Sequence, residues 1–119
     1  MTRDELIARL KGYEWTDFEC KKAQRDVPKD AYTTVSAFAN TQGGWLLHGV
    51  SESAGRLEVT GIEPAAFDRV QDAFLTTLRS GQKLNQLVDA QPQVFELDGK
   101  RILAFFIPEA NRHHKPIYL

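Results

Sequence analysis

The side chains able to do chemistry gather in a few short stretches of this 119-residue chain. The segment "YEWTDFECKK", residues 13 to 22, carries three carboxylates, Glu14, Asp17 and Glu19, followed by the two ammonium groups of Lys21 and Lys22. Such a density of charge in an aromatic-rich strand fits a solvated surface or a polar cleft. Further cations follow at Arg25 and Lys29, and a second basic group, Arg112, His113, His114 and Lys115, lies near the end. Lysine and arginine grouped in this way suit phosphate contacts that position a nucleic acid without reading its bases. Tyr13 and Trp15 offer faces on which unpaired bases stack. Cys20 is the one cysteine; with no histidine near it in sequence it reads as a small buried residue and not as a nucleophile. His48, the one polar side chain in "WLLHGV", reads as a core or strand-face residue and not as a metal ligand.

Local elements must position these groups. Thr2 and Glu5 have capping-box spacing, with Leu6, Ile7 and Leu10 on one helical face and Gly12 as a stop. Alternation in the next segment puts Phe18 and Cys20 on one side of a strand and Asp17, Glu19 and Lys21 on the other. Pro28 and the spacing of Tyr32, Val35, Phe38 and Ala39 predict a second helix over about residues 29 to 41, ended by Gly43 and Gly44. At least one of those glycines is expected to be left-handed, because the chain must reverse there within about two residues. Residues 45 to 50 read as a central strand, 51 to 56 as a turn, and 57 to 59 as a short strand. Pro64 opens a third helix with Phe67, Val70, Phe74, Leu75 and Leu78 inward and Gly81 just past its end. Asp98-Gly99 between apolar runs predicts a hairpin of residues 94 to 97 and 101 to 107 with a type I′ turn. Pro116 to Leu119 looks like the start of another extended element, so the sequence reads as a piece of a longer protein.

The order of elements is neither strict βαβ alternation nor all-β, so the expectation is α+β, one domain over residues 1–119, with a mixed β-sheet and about three helices. A composition 42% hydrophobic and 26% charged fits a folded domain. One cysteine excludes an intramolecular disulfide and a multi-cysteine zinc site, in keeping with a reducing, cytoplasmic setting. No apolar run approaches the length of a membrane span. A formal net charge of −1 removes the general basic excess of a dedicated nucleic-acid binder, so any such binding must use a local patch. Gly43-Gly44 follows a helix and precedes a strand, the reverse of a phosphate loop, and no Walker lysine follows, which argues against nucleotide hydrolysis.

Three blocks taken in order, "FECKKA" at 18 to 23, "VSAFANTQGGWLLHGVSE" at 35 to 52 and "GRLEVTGI" at 55 to 62, resemble the signature of the Schlafen-like, divergent-AAA or Alba-like DNA-binding domain family. The resemblance runs from about Glu14 to Tyr118, and "AFANTQGG" at 37 to 44 is its most specific part. It implies a Schlafen-core-like lobe and a role as a DNA-binding, transcriptional-regulator type domain, with DNA or RNA as partner. It also implies an alternative: some animal members cut structured RNA such as tRNA, using three carboxylates that bind a divalent metal. Mapped residue by residue, those carboxylates would be Glu14, Glu19 and Glu52, the last standing where aspartate is more usual. Mg²⁺ or Mn²⁺ would be the cofactor, since hard cations take oxygen ligands. A surface ion pair of Glu19 with Lys21 or Arg25 is the plain structural alternative. A further expectation is assembly, with residues 101 to 107 as an apolar edge strand pairing between copies.

Overall fold

The computed structural model describes residues 1–11 and 15–119. Helix α1 spans Arg3–Arg9; the Thr2 hydroxyl accepts the Glu5 N–H at 3.1 Å, as the capping spacing predicts. The expected stop at Gly12 lies outside the described residues. Strand β1 (Phe18–Lys21) leads into α2 (Ala31–Asn40), β2 (Gly44–His48), β3 (Val50–Ser53) and β4 (Arg56–Val59). A 3₁₀ turn at Pro64–Ala66 opens α3 (Phe67–Ser80), which is closed by left-handed Gly81 at φ 69°. Strands β5 (Gln91–Leu97) and β6 (Lys100–Ile107) follow, joined at Asp98 and Gly99, both at positive φ as a type I′ turn requires.

The main sheet has the order β1-β2-β6-β5, with β1 and β2 parallel and the other pairs antiparallel; β3 and β4 form a separate two-stranded ribbon. The fold is therefore α+β with a mixed sheet. Two expectations are corrected here. Residues 51 to 56, expected to be a turn, belong largely to β3 and β4, and the reversal is confined to Ala54 and Gly55 at positive φ. Residues 101 to 107, expected at an edge, form a central strand between β2 and β5 and cannot pair with a second copy.

Both faces of β6 are covered, which accounts for its unbroken apolar run. On one face α2 and α3 bring Val35, Phe38, Phe74 and Leu78 against Leu46, Leu103 and Phe105. On the other, Leu6 of α1 joins Phe18, Cys20, Leu47, Val50, Ile102 and Ala104. Full burial of each large aliphatic or aromatic side chain contributes roughly 1.5–3 kcal/mol, so this strand anchors both cores.

Residues 116 to 119 join no strand, yet they are held by side chains that take over the work of a strand partner. The Asn40 carboxamide accepts the Ile117 N–H at 2.7 Å and donates to the Ile117 carbonyl at 2.8 Å. Ser36 donates to the same carbonyl at 2.6 Å, and Asn85 grips Tyr118 and Pro116 from the other side. Asn40 of the "AFANTQGG" block is thus a clamp on the C-terminal segment. Asn40→Ala removes two partly buried hydrogen bonds, each contributing about 1 kcal/mol. The expected result is a loss of about 2 kcal/mol in urea unfolding, with faster hydrogen exchange at the Ile117 amide than at Phe105.

Candidate functional site

The polar side of β1 faces the start of α2. Glu19 accepts the Thr34 hydroxyl in a short hydrogen bond, and its other oxygen lies 3.9 Å from the Lys21 ammonium. Lys21, its side chain 16% exposed, is held more tightly by Asp30 at 2.9 Å. The ion pair of Glu19 is therefore with Lys21; Arg25, the other expected partner, pairs with Glu63 at 2.7 Å. Asp30 and Thr34 were not expected at this site. Their i, i+4 spacing at the mouth of α2 was the available signal, because it puts both on the turn that meets β1.

The apolar side of β1 buries Cys20. Burial first, then the charges of Glu52 and Glu19, push its thiol up to about 12, so it stays protonated and inert, as its apolar reading required. Glu52 is exposed on β3, in register with Leu57 of β4. Glu19 and Glu52 thus lie within electrostatic reach of one thiol. Glu14 lies outside the described residues. Among the described residues no three His, Cys, Asp or Glu side chains stand together to hold a metal ion, so these alone do not supply a three-carboxylate set.

His48 sits opposite Lys21 in the β1–β2 register and is fully buried. Its ring stands edge-on to Phe74 at 5.0 Å and to Phe105 at 5.3 Å, and neither nitrogen reaches a hydrogen-bond partner among the described residues. Burial, followed by the nearby Lys21 ammonium, lowers its pKa to about 4. The core position expected for this histidine is found, but its polar atoms are not satisfied.

The six expected phosphate-contact residues separate into two groups. Lys21, Arg25 and Lys115 are paired with Asp30, Glu63 and Glu109, the last at 2.7 Å. Lys22, Lys29 and Arg112 are exposed and have no carboxylate partner among the described residues. Lys22 and Lys29 lie on the same connection between β1 and α2. Trp15 is 42% exposed with the Arg9 guanidinium 5.0 Å from its ring centroid; Tyr13 lies outside the described residues.

Fold and site together define a small α+β lobe in which a helix, a two-glycine turn and a central strand set a polar, cation-bearing loop beside a buried core. The chain belongs to the family described as Schlafen, AlbA_2, whose model matches residues 14–118. It is also similar to the solution structure of the N-terminal domain of a Nitrosomonas europaea protein related to the ATP-dependent DNA helicase RecG. There the identity is 31% and the TM-score 0.75, covering 96% of this chain and 77% of that one. The DIP2311 protein of Corynebacterium diphtheriae matches at 21% identity and a TM-score of 0.48, covering 97% of this chain and 23% of that one.

Proposed function

We propose that this chain is a nucleic-acid-binding module of the DNA-binding, transcriptional-regulator type, engaging phosphates through the connection between β1 and α2. The observation that carries the reading is the pair of exposed cations Lys22 and Lys29 on that one loop, neither with a carboxylate partner among the described residues. Unpaired ammonium groups attract phosphates without first giving up an ion pair. Membership of the family and likeness to a domain of a helicase-related protein support the same partner class.

The test is titration of labelled duplex and single-stranded oligonucleotides at two salt concentrations. Lys22→Ala and Lys29→Ala are expected to leave the thermal melt unchanged, weaken binding alike for all sequences, and each lower the salt slope by about 1. No binding at low salt sinks the reading.

Metal-dependent cleavage of structured RNA is the second reading, favoured by the common reach of Glu19 and Glu52. Against it stand the contacts from Thr34 and Lys21 that already engage Glu19. RNA left intact with Mn²⁺ present, or cleavage unchanged in Glu19→Ala, removes it.

A further inference from the structure

We infer that a depression at the turn between β5 and β6 is a phosphate-binding pocket, with Lys100 and Arg101 as the side chains that hold the anion. This deepens the proposed function, because it names a contact for a nucleic-acid phosphate that lies outside the β1–α2 loop. The depression has a volume of about 210 Å³, and its walls include Gln24, Thr60, Gly61, Glu63, Lys100 and Arg101. Sites for whole small molecules run to roughly 300–1,000 Å³, so this one suits a single phosphoryl group.

The charges on its walls are unbalanced. Glu63 is the carboxylate present, and Arg25 already neutralises it at 2.7 Å. Among the described residues Lys100 reaches only the Val59 carbonyl, at 3.4 Å. The half-buried Arg101 guanidinium stacks 3.8 Å from the Phe67 ring centroid and has no acceptor among the described residues. Two positive charges are left over: Lys100 and Arg101 minus Glu63, plus Arg25. Stacking fixes the guanidinium plane and leaves its N–H fork free, an arrangement suited to phosphate oxygens, while the lysine adds a point charge. Thr60 lines the same wall, and its buried hydroxyl has no hydrogen-bond partner among the described residues.

The backbone keeps the pocket open. Gly61, at φ 74°, packs so closely that a Cβ there would lie 2.9 Å from the Lys100 Cβ. The Glu63 N–H donates to the Gln24 carbonyl at 2.9 Å, tying the wall to the loop that carries Lys22 and Arg25. The loop that carries Lys22 and Lys29 thus contributes Gln24 to the wall of the depression.

The test is a ¹⁵N–¹H titration of the whole chain with inorganic phosphate at low ionic strength, with chloride as the control. The expected result is saturable shifts at the amides of Thr60, Gly61, Lys100 and Arg101, lost in Lys100→Gln/Arg101→Gln. The exposed single variant Lys100→Gln, expected to weaken phosphate several-fold, serves if loss of the Phe67 stack unfolds the double one. No saturation, shifts centred elsewhere, or shifts unchanged in the variants overturn the pocket. A second arm uses an oligonucleotide without terminal phosphate. A salt slope lowered by about 1–2 in the variants supports a backbone phosphate as occupant; an unchanged slope with phosphate binding intact overturns that part and leaves a free phosphate. Failure of the oligonucleotide to bind the parent while phosphate saturates supports the pocket and overturns the proposed function instead.

Discussion

Gly44→Val is expected to lower the melting temperature by roughly 10 °C. A Cβ at Gly44 would lie 2.8 Å from two ring carbons of Phe38, closer than real contacts allow. That ring cannot swing away, because it is buried among Val35, Leu46 and Phe105. Overpacking of this kind costs about 1–3 kcal/mol, which in a domain of this size moves the melt by several degrees per kcal/mol. Gly43 fails for a different reason: it is left-handed at φ 80°, and its Cβ would meet the Ile107 carbonyl of β6 at 2.6 Å. Gly43→Ala therefore adds roughly 1–2 kcal/mol of backbone strain to the collision. Lys22→Ala is the control, with an unchanged melt. A Gly44→Val protein as stable as the parent would show that the glycines are kept for contact with a ligand.

The second large effect is a loss of stability in mild acid that depends on His48. Its folded pKa of about 4 lies below the ordinary value of 6.5. Between those values the unfolded chain binds a proton that the folded one refuses, so stability falls as pH drops from about 6.5 toward 4 and the penalty is complete below. At pH 5 the difference from pH 7 comes to roughly 2 kcal/mol for this one group. Urea unfolding at the two values measures it. His48→Leu is expected to flatten that slope and to be no less stable at pH 7, since it removes two buried nitrogens that lack partners among the described residues. A slope unchanged in His48→Leu assigns the acid sensitivity to other groups.

Periodicity and punctuation made the three helices and the β5–β6 hairpin readable, because each rests on local chemistry: the Thr2 cap, Gly81, and Asp98-Gly99. The short strand at 57 to 59 was readable and lies in β4, but its partner β3 was not, because residues 51 to 56 are nearly all exposed and show no apolar alternation. The central place of β6 does have a signal in sequence, since Ile102 to Phe105 form an unbroken apolar run, the mark of a strand covered on both faces. The site was less legible. Charge types were visible in sequence, but which cations pair with carboxylates depends on residues far apart in the chain, 38 positions in the case of Arg25 and Glu63. In sequence Lys100 and Arg101 are simply part of a hairpin, and they line one depression with Gln24 and Thr60 only once the sheet is assembled.

That sheet order also fixes when the protein can fold. β6 supplies the antiparallel partner of both β2 and β5, so during synthesis β2 has only the four residues of β1 beside it until residue 107 has emerged. The β5–β6 hairpin closes locally and fast, whereas docking it on β2 closes a loop of more than fifty residues and sets the slow step. Until that docking, the strand "WLLH" has an open edge of the kind that invites pairing with a neighbouring chain.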